Sequence, residues 1–129
     1  MVKNLPCFYT LGGLMEIRFK LLANTEKLIA YMNRQLPNFP KKELVLKNNI
    51  EKNQYELIEN VFGYNIQQSS RIKEKYLKDY LIKLSMFDFY IRESFHKKYL
   101  SKHQVDCLSK IIAECRKVAY GLIRSVENV

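Results

Sequence analysis

The side chains best suited to chemistry are few, and two of them stand one helical turn apart. His103 and Cys107 have the i, i+4 spacing that brings two side chains together on one face of a helix. A zinc site needs further ligands, and no second Cys or His pair with ligand spacing occurs in the chain. The other histidine, His96, has no Ser or Cys partner at a compelling spacing. We therefore expect neither a metal site nor a nucleophilic dyad.

Other catalytic patterns are also missing from the sequence. Gly12-Gly13 lacks the pattern of a phosphate-binding loop and has no flanking strand. Glu56, Glu59 and the remaining carboxylates lack the Glu-x-x-His motif of di-iron bundles. We expect no enzymatic activity and no cofactor.

The composition favours one helical domain with an anionic partner. The chain has 129 residues, is 47% hydrophobic and contains nine Tyr and seven Phe, which argues against disorder. Only four Gly and three Pro leave few tight turns for an all-β fold. The formal net charge of +9 favours RNA, DNA or an acidic protein surface as a partner.

Cysteine usage and hydropathy point to a cytoplasmic protein without a membrane segment. The chain has three cysteines, and Cys107 and Cys115 would lie about 12 Å apart on one helix, too far for a disulfide. A reducing cytosol therefore fits best. No apolar run approaches the roughly 20 residues that a membrane-spanning helix requires.

The first half of the chain has the spacing of two helices. Residues 1–14 show no helical period and are expected to form an N-terminal arm. From about Met15 an amphipathic pattern continues until the chain reaches Pro37. Pro40 suits the first turn of a second helix, which we expect to fray near Gly63.

The second half predicts two further helices. The polar run 67–70 supplies a capping serine for the third helix, which is expected to end near Lys98. Ser101 and Gln104 then form the pattern of a capping box, so the start of the fourth helix is the best-defined boundary. An apolar seam with steps of three and four residues continues from there to Val126.

These helices and their short connectors predict the architecture. At 1.5 Å per residue, each helix would measure about 33 to 43 Å. Helices of this length with short connectors are typical of antiparallel neighbours. We expect residues 15–129 to form an all-α, up-down-up-down four-helix bundle.

The third helix region carries the largest positive excess, and half of its bases have structural explanations. Residues 67–100 hold eight basic and four acidic side chains, whereas residues 38–66 are neutral. Each acid has a base four residues later, a spacing that stabilises helices. These pairs are Glu74–Lys78, Asp79–Lys83, Asp88–Arg92 and Glu93–Lys97. The unmatched bases, which are candidates for phosphate contacts, are Arg71, Lys73, Lys75 and Lys98.

A second candidate surface lies on the fourth helix. With Val105 at heptad position a, four side chains fall at position f, farthest from the apolar seam. They form a basic stripe about 32 Å long. Its members are His103, Lys110, Lys117 and Arg124. Pairing of Asp106 with Lys110 and of Glu114 with Lys117 would instead make it an ordinary solvated face. We expect one of the two surfaces to bind phosphate.

Aromatic residues indicate self-association. Phe89 and Tyr90 stand beside a core-facing Phe87, so an oligomer interface is expected there. Tyr120 is a further candidate, as is Gly121, because a glycine within a helix can mark the close approach of another backbone. Early fraying would equally explain Gly121. Most tyrosines that could stack on bases are better explained as core or interface residues.

Several short motifs resemble a known family of small four-helix bundles. They include Phe39-Pro40-Lys41 between the first two helices, the run 45–51, and the segment from Ile91-Arg92 to Tyr99-Leu100-Ser101. The strongest are Ser101-Lys102-His103-Gln104, Ile112-Ala113-Glu114 and Gly121-Leu122-Ile123. Over about residues 21–126 the chain resembles the accessory variability determinant of diversity-generating retroelements and proteins encoded in ribosomal RNA intervening sequences.

The resemblance implies a function and an assembly. The family's retroelement branch implies a basic homopentamer that binds a reverse transcriptase and its template RNA, with DNA as a further ligand, and supports mutagenic cDNA synthesis. It also implies an RNA-contacting third helix that includes Arg92. Two positions depart from the family pattern: Asp88 stands where a second Arg is frequent, and Leu122 where Trp is frequent. The alternative is a self-associating scaffold of the intervening-sequence type with no nucleic-acid role.

Overall fold

A computed structural model describes the backbone of residues 13–128 and the side chains of residues 19–128. Over this range the chain is all-α, and no strand is present. The predicted N-terminal arm lies almost entirely outside the described residues. The four α-helices are α1 (Gly13–Gln35), α2 (Leu44–Ile66), α3 (Ser70–His96) and α4 (Lys102–Glu127).

The four helices pack around one core. In order around the bundle each helix packs mainly against its neighbours, α1 on α2, α2 on α3, α3 on α4 and α4 on α1. Helices α2 and α4 therefore occupy diagonally opposite corners. The core is filled by side chains from every helix, among them Leu28, Leu57, Phe87 and Leu122, all fully buried. The predicted four-helix bundle is confirmed for the described residues.

The connector between α1 and α2 corrects the predicted start of the second helix. Pro40 has an extended backbone, with φ −65° and ψ 151°, and α2 begins only at Leu44. Two short 3-10 turns, Leu36–Asn38 and Lys41–Glu43, fill the connector. Between them Phe39 is buried with its ring 5.2 Å from that of Tyr99. This tertiary contact, which sequence spacing does not show, holds the connector out of the helix.

The predicted fraying at Gly63 is wrong, because α2 continues to Ile66. Gly63 is buried directly beneath the ring of Tyr76 in α3. A Cβ atom at this position would lie only 2.6 and 2.7 Å from Cδ1 and Cζ of Tyr76. The glycine therefore permits a close helix contact and does not mark a helix end.

Helix caps fix the starts of α3 and α4. Ser69 caps α3 by accepting a hydrogen bond from the Ile72 amide. The predicted capping box of α4 is confirmed, since Ser101 Oγ accepts from the Gln104 amide at 3.1 Å and Gln104 Oε1 accepts from the Ser101 amide at 2.9 Å. Helix α3 ends at His96, two residues before the left-handed Lys98, whose φ is 69°.

A small polar cluster lies inside the core. The hydroxyls of Thr25 and Tyr80 are 2.6 Å apart, and Thr25 also donates to the Leu21 carbonyl at 2.7 Å. The thiol of Cys115 completes the cluster, and burial raises its pKa. Each of the two hydroxyls has a hydrogen-bond partner, so neither is left unpaired in the core. Cys107 and Cys115 are free thiols, as their predicted separation requires.

No α-helix within the described range is both long and apolar enough to cross a membrane.

Candidate nucleic-acid interface

The basic stripe of α4 lies on the outer corner of the bundle. Leu108, Cys115 and Leu122 in the seam of α4 are fully buried. On the opposite face, Lys110, Lys117 and Arg124 are exposed at successive intervals of seven residues. A seven-residue step advances about 10.5 Å along a helix, so the three cations form a regular row.

The cations of this row have no acidic partners among the side chains of residues 19–128. The alternative pairing of Asp106 with Lys110 does not form, because Asp106 is instead paired with Lys102, whose Nζ lies 3.1 Å away. The alternative pairing of Glu114 with Lys117 does not form in this range either, since no ion pair there involves Lys110, Lys117 or Arg124. The row can therefore contact phosphate without first breaking an ion pair.

His103 stands at the N-terminal end of the stripe and contacts its neighbour on the same helix. Its Nε2 is 3.6 Å from Cys107 Sγ. A hydrogen bond with Cys107 also raises the pKa of Tyr31 on α1. No third His, Cys, Asp or Glu within the described range joins the two to form a metal-binding group. The Cys107 thiol therefore lies between His103 on α4 and the Tyr31 phenol on α1.

Two of the basic side chains at the start of α3 that the spacing left unmatched contact other side chains. Lys75, expected to be unmatched, pairs with Asp79 at 3.0 Å. The expected Asp79–Lys83 pair is therefore wrong, and Lys83 instead reaches Glu56 on α2 at 3.4 Å. Lys73 Nζ lies 4.9 Å from the ring centroid of Tyr64, a cation–π distance. Arg71 is exposed at the end of the bundle.

The other three ion pairs predicted for residues 67–100 form. Glu74–Lys78, Asp88–Arg92 and Glu93–Lys97 are confirmed at 2.8, 3.0 and 3.9 Å. Arg92, the candidate RNA contact carried over by resemblance, is thus already paired. Lys98 is exposed in the turn after α3. The structure therefore leaves the α4 stripe with more unpaired charge than α3 within the described residues.

Comparison with known protein families identifies the chain. A family model described as bAvd-like matches residues 19–126, which include nearly all of the four helices. The chain belongs to the bAvd-like family. This confirms the resemblance to the accessory variability determinant. No curated protein and no solved structure matches this family member.

A third row of cations on this bAvd-like bundle was missed in the sequence. Lys20, Lys27 and Arg34 recur every seven residues on α1 and are all exposed. Arg34 lies 5.2 Å from the ring centroid of Tyr31. The seven-residue spacing of these cations is present in the sequence. The total charge of residues 1–37, however, does not show that they share one face of α1. The row lies on the corner next to α4.

The four predicted interface residues occupy different environments. Phe89 is 52% exposed, whereas Tyr90 is half-buried and packs on the core with its ring 6.0 Å from that of Phe89. Tyr120 is exposed on α4. A Cβ at Gly121 would meet only Arg124 Nη2 at 3.8 Å, so packing in the described chain does not require glycine there. Helix α4 continues to Glu127, which excludes fraying at Gly121.

Proposed function

We propose that this protein is an accessory subunit that binds RNA through the basic stripe of α4 and associates with a reverse transcriptase. Two observations support the proposal. The row Lys110, Lys117 and Arg124 is exposed and free of ion pairs among the described residues. The chain belongs to the bAvd-like family, and its resemblance to the retroelement accessory variability determinant implies a role in mutagenic reverse transcription.

The single observation that carries RNA binding is the regular row of unpaired cations. Each cation that neutralises a phosphate releases condensed counterions, and this release dominates nonspecific affinity for nucleic acid. Lysine contacts a phosphate as a point charge, while Arg124 can form two parallel hydrogen bonds. None of these contacts reads a base, so DNA is a further ligand of the same surface.

The reverse transcriptase is the proposed protein partner in this reading. By holding template RNA on α4, the accessory subunit would supply phosphate contacts near the enzyme and raise the local concentration of template. Self-association, to a pentamer as the resemblance implies, would repeat the stripe around the assembly. The setting proposed for this complex is the cytoplasm.

Charge reversal of the stripe tests the proposal. We expect Lys110→Glu, Lys117→Glu and Arg124→Glu in one chain to abolish binding of a fluorescent RNA measured by anisotropy. The matched control carries Lys41→Glu, Lys42→Glu and Lys52→Glu, an equal change of charge at exposed positions outside α4. The control should retain most of the affinity, and equal losses in both variants would contradict a role for the stripe.

The alternative function is a self-associating scaffold without a nucleic-acid role. The exposed apolar side chains of α2, which include Tyr55 and Ile66, favour a protein-binding surface. Under this reading, RNA affinity would be absent in the wild-type chain and unchanged in the stripe variant. The anisotropy measurement therefore separates the two functions.

A further inference from the structure

A thiol, an imidazole and a phenol meet where α1 packs against α4. Cys107 is half-buried, and its Sγ is 3.6 Å from Nε2 of the exposed His103, which lies one turn earlier on α4. From α1, Tyr31 forms a side-chain hydrogen bond with the same thiol. We call these three residues the thiol cluster. One solvent-accessible sulfur atom therefore has two neighbours that can exchange a proton with it.

Hydrogen bonds between the two helices hold the thiol cluster in place. The Gln104 side chain, which completes the capping box of α4, donates to Gln35 Oε1 at 2.7 Å. Gln35 Nε2 in turn donates to the Tyr31 carbonyl at 3.3 Å. The two contacts fasten the end of α1 to the start of α4, so Tyr31 and Cys107 stay opposite each other. A site carried by two packed helices keeps its geometry better than one on a loop.

The cluster has the arrangement of an activated nucleophile. The thiolate is the form of cysteine that attacks an electrophile, and a base within hydrogen-bond reach generates it. In the tautomer with an unprotonated Nε2, His103 can accept the Cys107 proton. Cys115, the other cysteine of the described residues, is fully buried, and burial raises its pKa. Of these two thiols, only Cys107 can meet a reagent from solvent.

The thiol of the cluster lies within the basic stripe of α4. His103, Cys107 and Lys110 follow one another at intervals of four and three residues, so they share one face of the helix. Asp106, the acid next to Cys107 in the chain, is paired with Lys102. An anionic group attached to the Cys107 sulfur would therefore lie between two side chains of the stripe and compete with phosphate for them.

We propose that Cys107 undergoes thiol–disulfide exchange with low-molecular-weight disulfides, and that the resulting mixed disulfide lowers the affinity for RNA. In the exchange, His103 takes the thiol proton and the Cys107 sulfur attacks one sulfur of the reagent. The new S–S bond forms as the S–S bond of the reagent breaks. The leaving thiolate takes the proton from His103, so no further oxidant is consumed. The effect on RNA rests on the proposed function, whereas the exchange itself does not.

Mass spectrometry after incubation with oxidised glutathione tests the exchange. Trypsin releases Cys107 within residues 103–110 and Cys115 within residues 111–116, so the two thiols are counted separately. We expect Cys107 of the folded chain to gain the glutathionyl group while Cys115 remains a thiol. Equal rates of modification at the two cysteines, or no modification of Cys107, would overturn the inference.

Substitution of the imidazole tests its role as the base. His103→Gln should slow the modification of Cys107 about three- to tenfold. The matched control, His96→Gln, replaces the other histidine of the chain, which lies on α3, and should leave the rate unchanged. Cys115 should stay unmodified in both variants, which shows that the bundle remains folded. Equal rates in the wild type and His103→Gln would overturn the assignment of His103.

Anisotropy of a fluorescent RNA tests the effect on binding. The glutathionyl group carries two carboxylates and one ammonium group, so it should raise the dissociation constant about three- to tenfold at low salt. Reduction with dithiothreitol should restore the original value, and Cys107→Ser should bind RNA equally before and after treatment. Unchanged affinity of a fully modified chain would overturn the effect on RNA. A wild type that binds no RNA would overturn both this effect and the proposed function, while exchange at Cys107 would still be decided by mass spectrometry.

Discussion

At the scale of single residues, Gly63 and Gly121, which lie inside α2 and α4, have opposite environments. The sequence indicates that each is unusual within a helix, but it does not say why. Gly63 is buried under an aromatic ring of α3, whereas a Cβ at Gly121 would meet only the Arg124 side chain, at the ordinary contact distance of 3.8 Å. The predicted fraying and the predicted subunit contact were both drawn from residue type alone. The distinction depends on the distance to another helix, which no local pattern encodes.

Alanine substitution at the two glycines should change stability in opposite directions. Gly63→Ala should lower the free energy of unfolding by about 1 to 3 kcal/mol, because the Tyr76 ring must move aside. Gly121→Ala should raise it by up to about 1 kcal/mol, since alanine favours the helix and nothing obstructs its methyl group. Urea denaturation followed by circular dichroism measures both. If Gly121→Ala instead weakens assembly while leaving the monomer stable, Gly121 lies in a subunit contact.

The polar cluster in the core gives a second prediction at this scale. Thr25→Val removes the closest partner of the Tyr80 hydroxyl and should cost about 1 to 3 kcal/mol. Tyr80→Phe leaves the Thr25 hydroxyl bound to the Leu21 carbonyl and should cost less, about 1 kcal/mol. Thermal unfolding of the two variants gives the ranking. A larger loss in Tyr80→Phe would mean that another group satisfies the tyrosine hydroxyl.

At the scale of elements, periodicity and capping patterns predicted the helices but not the tertiary contacts between their connectors. The capping box of α4 was correct because its partners, Ser101 and Gln104, are local. The predicted start of α2 was wrong because Phe39 packs against Tyr99, a residue 60 positions later in the turn after α3. Ion pairs show the same difference between local and tertiary contacts. The i, i+4 spacing predicts pairs within a helix, but it cannot show that Lys83 pairs with Glu56 on another helix.

The contact between the connector and the turn after α3 should make stability depend on pH. Glu43 accepts a hydrogen bond from the Tyr99 hydroxyl at 2.6 Å, and this bond, followed by that from Lys97, lowers the pKa of Glu43. A lowered pKa in the folded state means that the stabilisation is complete above the ordinary carboxylate range and is lost as the pH falls through the folded value.

Glu43→Gln isolates this contribution. The difference in unfolding free energy between the wild type and Glu43→Gln should be present at pH 7 and should shrink as the pH falls below about 4. Denaturant unfolding at several pH values measures it. Tyr99→Phe should show the same trend, because it removes the main cause of the lowered pKa. A difference that is constant with pH would contradict the assignment.

At the scale of the whole molecule, charge is divided among the corners of the bundle. The basic row of α4 and the exposed apolar side chains of α2 lie on diagonal corners. Composition and heptad position predicted the first of these faces from sequence. The exposed face of α2 was not predicted, because the charges of residues 38–66 sum to zero and this sum does not separate the faces of the helix. Only the packed bundle shows which apolar residues of α2 remain exposed.

The salt dependence of RNA affinity tests the central proposal most directly. Each phosphate contact with single-stranded nucleic acid contributes about −0.7 to the slope of log affinity against log salt, so three cations per chain predict a slope of about −2. The Lys110→Glu, Lys117→Glu, Arg124→Glu chain should lose this dependence together with its affinity. A wild-type chain that binds RNA with no salt slope, or a variant whose slope equals that of the wild type, would contradict phosphate binding by the α4 stripe.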